Sequence, residues 1–330
     1  MTHLNLLATI PADLYIHIIL PYLDIKSASR LRSVSRALRL IVAEYQSTYA
    51  AQLTIAKHDH IRPMLKQFPQ STFTLLNPSK SVKNHPAIVA IKFEGKSLKS
   101  CIKLLENLPS VVALEINFAT LVTHGDTIML YRKSIFNMTQ LTHLDMTMEK
   151  FPHTCRVDPN LSALVNLTTL KMFMCSNVRG IPELVNLTSL TLTECHFGER
   201  INSYQIRHLT RLRYLKLLNV DLVMYTFAYF SNLVELHMCN IQAFIYSIDV
   251  LTNLQKLSIN NKCNTYIGDN TDFSRLTNLR SITLCNIGYE THDLSPLVNL
   301  TELYLYNCPL ITPPAHQLKY YIKRDTCSAP

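Results

Sequence analysis

One short string of residues returns along most of this chain, and no other feature restricts its fold as strongly. The segment LVNLTSLTLTEC at 184–195 has the pattern L-x-x-L-x-x-L-x-L. Close copies occupy 164–175, 209–220, 230–241, 251–262, 276–287 and 297–308, and weaker copies occupy 88–95, 108–119 and 138–149. A unit of this size cannot bury its own apolar edge, so successive units are expected to stack into a solenoid.

The end of each copy alternates apolar and polar residues, which predicts a strand with one face in the core. In the copy at 184–195, Leu190 and Leu192 face inward, while the residues beside them face outward. The first inward residue of each strand recurs at steps of 20 to 30 residues, at Ile91, Leu114, Leu144, Leu170, Leu190, Leu215, Leu236, Leu257, Ile282 and Leu303. The longest step indicates an insertion at about 119–137, and the shortest steps predict extended or 3₁₀ return segments in place of full helices.

This spacing resembles that of the leucine-rich-repeat superfamily over most of 85–312. A second resemblance covers residues 10–39. The run I-P-x-D-L at 10–14, Ile18, and L-x-x-V-S-R-x-L-R at 31–39 are similar to the F-box pattern. The F-box resemblance implies a segment that binds a Skp-type adaptor, and through it a cullin. The matching positions are Ile10, Pro11, Leu14, Ile18, Leu31, Val34, Ser35 and Leu38.

Together these patterns predict an α/β repeat fold, in which an N-terminal three-helix F-box-like domain precedes a leucine-rich-repeat solenoid with a parallel sheet on its concave face. Pro11 can open the first helix, and Pro21 can end it. The expected divisions are an F-box-like domain at 1–45, a helical junction at 46–87, about ten repeats at 88–312 and a C-terminal cap or tail at 313–330.

Outward positions on the concave face are the candidate target-binding residues, because exposed aromatic and charged side chains together suit protein recognition. An ordinary solvated sheet face is the alternative explanation of the same residues. The candidates are Lys171, Phe173, Tyr214, Lys216, Glu235, His237, Lys256, Glu302, Tyr304 and Tyr306.

Cysteines and sequons both recur at fixed repeat positions. Nine cysteines occur, and Cys175, Cys195 and Cys308 share one position, which favours buried reduced thiols. The N-x-S/T sequons at Asn137, Asn160, Asn166, Asn186 and Asn299 would be glycan sites outside the cell, but three of them share a repeat position, which favours a structural explanation. We therefore predict a cytoplasmic location, with the nucleus as the alternative.

Charge, hydropathy and motifs limit the other functions that the chain could have. The formal net charge is +9, and residues 61–110 hold eight Lys or Arg against two Asp or Glu. No groove-reading motif accompanies this basic block, so a solvated face is expected there and nucleic acid is not an expected partner. No apolar run has the ~18 residues of a membrane helix. Residues two apart, such as His58 and His60, would point to different sides of a helix, so no metal site is predicted.

The sequence contains no glycine-rich phosphate loop and no G-x-S-x-G or H-E-x-x-H motif, so we expect no enzyme activity and no cofactor. The leading hypothesis is a substrate-recognition subunit of a Skp–cullin–F-box ubiquitin ligase, whose repeats bind a target protein. The alternative is a leucine-rich-repeat scaffold or regulatory binding module with no link to a ligase.

Overall fold

A computed structural model of the chain describes residues 52–55, 61–62, 72–76, 82, 85–94, 105, 108–117, 135–147, 159–175, 177–197, 202–241, 244–245, 247–260, 266–267, 273–287 and 292–324. Every structural statement below concerns these residues. Their secondary structure is nearly all strand. The strands β1 to β17 are, in chain order, Gln52–Ile55, Thr72–Leu76, Ile88–Glu94, Ala113–Asn117, His143–Thr147, Thr169–Phe173, Ser189–Thr193, Tyr214–Leu218, Glu235–Cys239, Phe244–Ile245, Lys256–Asn260, Tyr266–Ile267, Ser281–Cys285, His292–Asp293, Glu302–Tyr306, Ile311–Thr312 and Tyr320–Arg324.

Thirteen of these strands form one parallel sheet in the order β1-β2-β3-β4-β5-β6-β7-β8-β9-β11-β13-β15-β17. Each strand therefore pairs with the strand of the preceding and the following repeat. All ten residues that the sequence predicted as the first inward position are paired across neighbouring strands, from Ile91 with Leu114 through to Ile282 with Leu303. The predicted repeat register is confirmed.

Inward leucines of the strands form the core, together with the leucines of the preceding loops. Leu190, Leu215 and Leu236 are each at most 1% exposed. Leu184 and Leu187, which precede β7, are also fully buried. This repeat therefore contributes Leu184, Leu187, Leu190 and Leu192 to one continuous core. At ~2 kcal/mol for a fully buried leucine side chain, this burial is the main stabilising contribution of each repeat.

The return segments are short, as the small repeat steps predicted. Three 3₁₀ helices span Ile135–Asn137, Ile248–Val250 and Phe273–Arg275. Two further parallel pairs, β10 with β12 and β14 with β16, form two-stranded ladders outside the main sheet. No return segment within the described ranges holds a full helix, because ~20 residues per turn of the solenoid suffice only for a strand, two bends and an extended return.

The chain leaves most of these strands through a residue in the left-handed region. The φ values are 50–59° at Met174, Glu194, Asn219, Asn240, Asn286 and Asn307, which all hold the same repeat position. Asparagine tolerates this conformation better than other residues with a Cβ. It also pairs along the stack, since Asn240 Nδ2 donates to Asn219 Oδ1 at 2.8 Å and Asn307 Nδ2 donates to Asn286 Oδ1 at 2.9 Å.

The predicted fold class was wrong in one respect. The described chain is a parallel β-solenoid, and the expected three-helix F-box-like domain is not supported. Helical conformation other than the three 3₁₀ helices occurs only at 61–62 and 105 among the described residues. Helical spacing of apolar residues was read from 10–41 alone, and such spacing in a short segment is a weak predictor when nothing shows what covers its apolar side. Residues 1–45 themselves lie outside the described residues.

The sheet is longer than the repeat pattern indicated. β1 and β2 lie within 46–87, for which a helical junction was expected; β1 pairs with β2, and β2 pairs with β3. At the other end, β17 lies within the expected cap or tail at 313–330 and continues the sheet beyond β15. These strands lack the L-x-x-L-x-x-L-x-L string of the central repeats, so the sequence pattern alone did not reveal them.

Candidate protein-binding surface

In-register pairing turns the outward residues of the strands into straight columns. The first strand position contributes His143, Tyr214, Glu235, Lys256 and Glu302, and the third contributes Lys92, Glu115, Asp145, Lys171, Lys216, His237 and Tyr304. Neighbours within a column lie one strand spacing apart, ~4.8 Å. A partner lying across the sheet would therefore meet a fixed series of side chains from successive repeats. We call these two columns the strand face.

Ion pairs tie the charged members of the strand face together. Lys92 Nζ lies 2.7 Å from Glu115 Oε1, and Lys171 Nζ lies 3.2 Å from Asp145 Oδ2. Asp145 is only 8% exposed although it points outward. Lys171, by contrast, keeps 49% of its side chain exposed. The partly exposed Lys92–Glu115 pair adds little stability, and Lys171 stays accessible to a partner although Asp145 is buried.

The middle of the strand face holds a compact group of four side chains from β8, β9 and β11. The Tyr214 and His237 rings lie 5.7 Å apart at 44°. Glu235 contacts His237 Nε2 at 3.5 Å and Lys256 Nζ at 3.4 Å. Burial lowers the pKa of His237, and the hydrogen bond to Glu235 opposes that shift. A tyrosine next to a neutral imidazole and a carboxylate–ammonium pair offers both apolar contact and hydrogen bonding.

Eight of the ten predicted target-binding residues lie on the strand face and reach its surface. They are Lys171, Tyr214, Lys216, Glu235, His237, Lys256, Glu302 and Tyr304. Glu302 Oε2 accepts a hydrogen bond from Ser281 Oγ at 2.9 Å. Whether these residues bind a target stays a prediction.

The other two, Phe173 and Tyr306, lie outside the two columns, and only Tyr306 departs from the predicted outward alternation. Phe173 is half-buried against the core, and Tyr306 is only 9% exposed. Both occupy the fifth strand position, just before the chain turns out of the sheet. At Phe173 the alternation of buried and partly exposed residues continues to the end of β6, whereas Tyr306 is buried directly after the buried Leu305. Sequence reasoning also missed Lys92 and Glu115, although both hold the same repeat position as Lys171.

A ladder of asparagine amides runs along the edge of the sheet where the strands begin. Each asparagine lies in the L-x-N-L part of its repeat, and its Nδ2 donates to a backbone carbonyl of the previous repeat at 2.7–3.0 Å. The six described pairs are Asn166 to Thr139, Asn186 to Val165, Asn232 to Thr210, Asn253 to Ser231, Asn278 to Thr252 and Asn299 to Thr277. The bonds satisfy carbonyls that the sheet leaves unpaired.

The same ladder explains the recurring sequons. Asn166, Asn186 and Asn299 use their amide nitrogens in the ladder. The hydroxyls of their sequon threonines, including Thr168 and Thr188, donate to carbonyls of the previous repeat at 2.9–3.0 Å. Both sequon side chains therefore have structural roles at these three positions, which confirms the structural explanation for the recurrence.

The buried cysteines form a second recurrent position beneath the sheet. Cys175, Cys195 and Cys308 are buried and free, which confirms that prediction. A hydrogen bond with Cys195, followed by burial, raises the pKa of Cys175 well above its usual value, so this group stays a neutral thiol. Cys285, which holds a different repeat position, departs from the expectation because it is disulfide-bonded.

Arg211 interrupts the asparagine ladder beside a groove. It occupies the ladder position of its repeat, and its guanidinium donates to Asn186 Oδ1 at 2.8 Å. The groove has a volume of about 770 Å³ and lies between the ladder and the starts of the strands, from Thr188 to Asn278. Arg213 lines the groove next to Arg211. The sequence does show this site, because Arg211 replaces the asparagine that neighbouring repeats hold at this position, but the repeat pattern alone did not predict a groove there.

Several predicted features fall outside what the structure describes or find no counterpart in it. The adaptor-binding candidates Ile10, Pro11, Leu14, Ile18, Leu31, Val34, Ser35 and Leu38 lie outside the described residues, as does the pair His58 and His60. Within the described ranges, no group of three or more His, Cys, Asp or Glu side chains could hold a metal ion. A search of the same ranges finds no helix with the length and apolarity to cross a membrane.

His292 is buried in the solenoid with an unsatisfied ring nitrogen. It is 4% exposed, it packs edge-on against Phe273 at 5.5 Å, and its Nε2 has no hydrogen-bond partner among the described residues. Burial lowers its pKa below the usual 6.5. Burial also lowers the pKa values of His143 and His237. In the folded state these three rings are therefore harder to protonate than in the unfolded chain.

We predict that the protein loses stability as the pH falls below about 6.5, because protons then bind the unfolded chain first. The effect is absent above that pH, and each such histidine contributes at most about 1.4 kcal/mol per pH unit. Urea unfolding at pH 7.5 and 5.5 measures it. His292→Leu should reduce the pH dependence, while His208→Leu, at an exposed ring, should keep it. Equal pH dependence in wild type and His292→Leu would contradict the prediction.

Comparisons with known proteins give fold-level likenesses only. No family model and no curated protein matches the chain. An internalin (inlF) from Listeria monocytogenes matches 98% of this chain and 100% of its own at 18% identity, with a TM-score of 0.45. The LRR ectodomain of the Arabidopsis receptor kinase HAESA, solved with an IDA peptide hormone ligand, matches 76% of this chain at 16% identity and a TM-score of 0.44. This chain spans 39% of it.

A chain of the yeast Rad7–Elc1 complex matches 96% of this chain and 89% of its own at 16% identity, with a TM-score of 0.39. Because these TM-scores are below 0.5, we assign the fold from the strand pairing itself. Stacked parallel strands, inward leucines and the asparagine ladder define a leucine-rich-repeat solenoid.

Proposed function

We propose that the chain is a protein-binding module that captures its partner on the strand face. The observation that supports this most directly is the central group of Tyr214, Glu235, His237 and Lys256, which one continuous sheet holds at fixed spacing. The side chains of Glu235, His237 and Lys256 are 31%, 30% and 55% exposed, so a partner can reach them without any rearrangement of the core. A rigid array of this kind costs little conformational entropy on binding.

Charge reversal on the strand face tests the proposal. Lys171→Glu combined with Lys256→Glu reverses two lysines whose side chains are 49% and 55% exposed. We expect the variant to lose at least about tenfold in affinity for the proteins that wild type captures, since a hydrogen bond to a charged group contributes ~1.5–3 kcal/mol. Affinity capture followed by titration with the purified partner measures this.

The matched control reverses Arg179 and Arg207, which are exposed outside the strand face. Circular dichroism and the thermal midpoint confirm that both double variants fold. If the strand-face variant captures the same proteins with the same affinity as wild type, and the control variant loses them, the strand face is not the binding surface.

The finer proposal is that the module is the substrate receptor of a Skp–cullin–F-box ubiquitin ligase. Its support is the sequence match at 10–39, in which Pro11, Leu14, Val34 and Leu38 hold the apolar positions of the adaptor-binding pattern. In this assignment the ubiquitin chemistry belongs to other subunits, and the repeats raise the concentration of the target near them. The cytoplasmic or nuclear location belongs to this proposal and stays a prediction.

A direct titration against a purified Skp-type adaptor tests the finer proposal. Wild type should bind, and Leu14→Asp with Val34→Asp should abolish binding, because a charge in an apolar interface is strongly unfavourable. Ser27→Asp with Ser29→Asp adds the same charge in the same segment outside the pattern and should still bind. If wild type does not bind the adaptor, the ligase role fails while the protein-binding role of the strand face stands, and the scaffold alternative replaces it.

A further inference from the structure

The groove along the asparagine ladder is a second candidate site, separate from the strand face. It is lined at its two ends by Thr188 and Asn278, and it crosses the repeats of β7, β8, β9, β11 and β13. Four strand spacings of ~4.8 Å give it a length of ~19 Å, which holds about six residues of an extended chain at ~3.3 Å each. The size fits a short peptide segment.

Arg211, which lines the groove, comes from the one described repeat in which an arginine replaces the ladder asparagine. At six described repeats the ladder amide bonds to the previous repeat, and Asn232 resumes the ladder directly after Arg211. An asparagine at position 211 would donate its Nδ2 to a backbone carbonyl of the previous repeat, as the other ladder asparagines do. The fold therefore does not require arginine here. An arginine in place of a structurally preferred residue, inside a groove, indicates a ligand-binding role.

The positive charge of the groove is unbalanced. Arg213 is exposed beside Arg211, and no described carboxylate forms an ion pair with either guanidinium. Arg213, Gln255 and Arg280 each precede a strand by one residue, so they lie in one line across the sheet. The Gln255 carbonyl accepts the Arg280 backbone N–H at 2.9 Å. Arg213 and Arg280 are thus three strand spacings apart, ~14 Å, which is about four residues of extended peptide.

The lining also decides between kinds of anionic ligand. Single-stranded nucleic acid is bound by aromatic side chains on which bases stack, and by many phosphate contacts. The groove lining contains no aromatic side chain; besides Val234, it consists of two arginines and of amide and hydroxyl side chains. Guanidinium groups hold a carboxylate or phosphate by two parallel hydrogen bonds, and amide side chains suit the backbone of a peptide.

We propose that this groove binds an extended segment of a partner protein through an anionic side chain, held by Arg211 and Arg213, with a second anionic residue about four positions further on facing Arg280. The anion is a carboxylate or a phosphorylated hydroxyl. The site uses a different surface from the strand face, so the two proposals can fail separately.

A peptide array tests the site with the full-length chain. The probes are nonapeptides with phosphoserine, glutamate, serine or lysine fixed at position three and again at position seven, and mixed residues elsewhere. Wild type should retain the phosphoserine and glutamate sets at least about tenfold better than the serine and lysine sets, since charge-assisted hydrogen bonds carry the binding. The ratio between the phosphoserine and glutamate sets identifies which anion is preferred.

The informative variants are Arg211→Asn, which restores the ladder residue of the other repeats and therefore keeps the fold, and Arg213→Gln. Both should lose the preference for anionic peptides about tenfold, and Arg207→Gln, an exposed arginine outside the groove, should keep it. Equal retention of lysine and phosphoserine sets by wild type overturns the proposal, as does an unchanged preference in Arg211→Asn. A twelve-nucleotide single-stranded RNA that binds through Arg211 while no anionic peptide does so also overturns it.

Discussion

Gly180→Ala is expected to destabilise the solenoid by about 3 kcal/mol, because two separate penalties add. Gly180 has φ +85°, a conformation that costs a residue with a Cβ about 1 kcal/mol or more. A Cβ built at this position would also collide with the backbone of the previous repeat, at Ser162 N and at 2.8 Å from Leu161 N. Backbone atoms in a stacked solenoid cannot move aside as the end of a flexible side chain can.

The clash has a clear structural origin. Arg179 forms an isolated bridge with Asn160, and its carbonyl accepts the Leu161 N–H at 2.9 Å. Two chain segments thus pass each other at backbone contact distance, and only glycine fits between them.

Thermal unfolding followed by circular dichroism measures the effect, and a midpoint lower by roughly 4–5 °C is expected, since the unfolding entropy is ~2.1 cal/mol/K per residue and the chain has 330 residues. The control is Arg179→Ala, which changes the neighbouring exposed side chain and should shift the midpoint very little. A Gly180→Ala protein with the wild-type midpoint would show that the two segments do not approach this closely.

Leu236→Ala should cost about 3 kcal/mol of unfolding free energy, the middle of the range for a buried leucine truncated in a close-packed core. Leu236 is fully buried, and its backbone pairs with Leu215 on one side and Leu257 on the other. Since each repeat contacts only its neighbours, the cavity weakens two repeat interfaces at once.

Urea unfolding gives the total loss, and hydrogen exchange shows where it occurs. Protection should fall in β8, β9 and β11 first, with β4 and β5 affected least. Val298→Ala, which truncates a side chain that is 68% exposed, is the matched control and should change the free energy by less than about 0.5 kcal/mol. Exchange that accelerates equally in all strands would contradict nearest-neighbour stacking.

Much of the strand face could be predicted because strand alternation and stacking both have fixed periods. The inward column from Ile91 to Leu303 was predictable residue by residue, and so were outward residues such as Tyr214 and His237. Alternation did not predict that Tyr306 is buried beside Leu305, since burial at the end of a strand depends on the neighbouring repeat. The expected three-helix F-box-like domain is not supported among the described residues, and residues 1–45 lie outside them; apolar spacing in a short segment does not show what covers its apolar side.

The amino-acid sequence by itself determined the repeat, its register and the alternation of core and surface, since leucines at fixed spacing can be buried only if successive units stack with their strands in line. Only the tertiary structure decided which side chains meet across repeats. Arg211 and Arg213 share a groove with Asn232 and Gln255, which lie roughly 20 and 40 residues further along the chain. The strand spacing of ~4.8 Å brings these successive repeats together. Contacts of that kind depend on distances between repeats, and those distances are a property of the stacked solenoid.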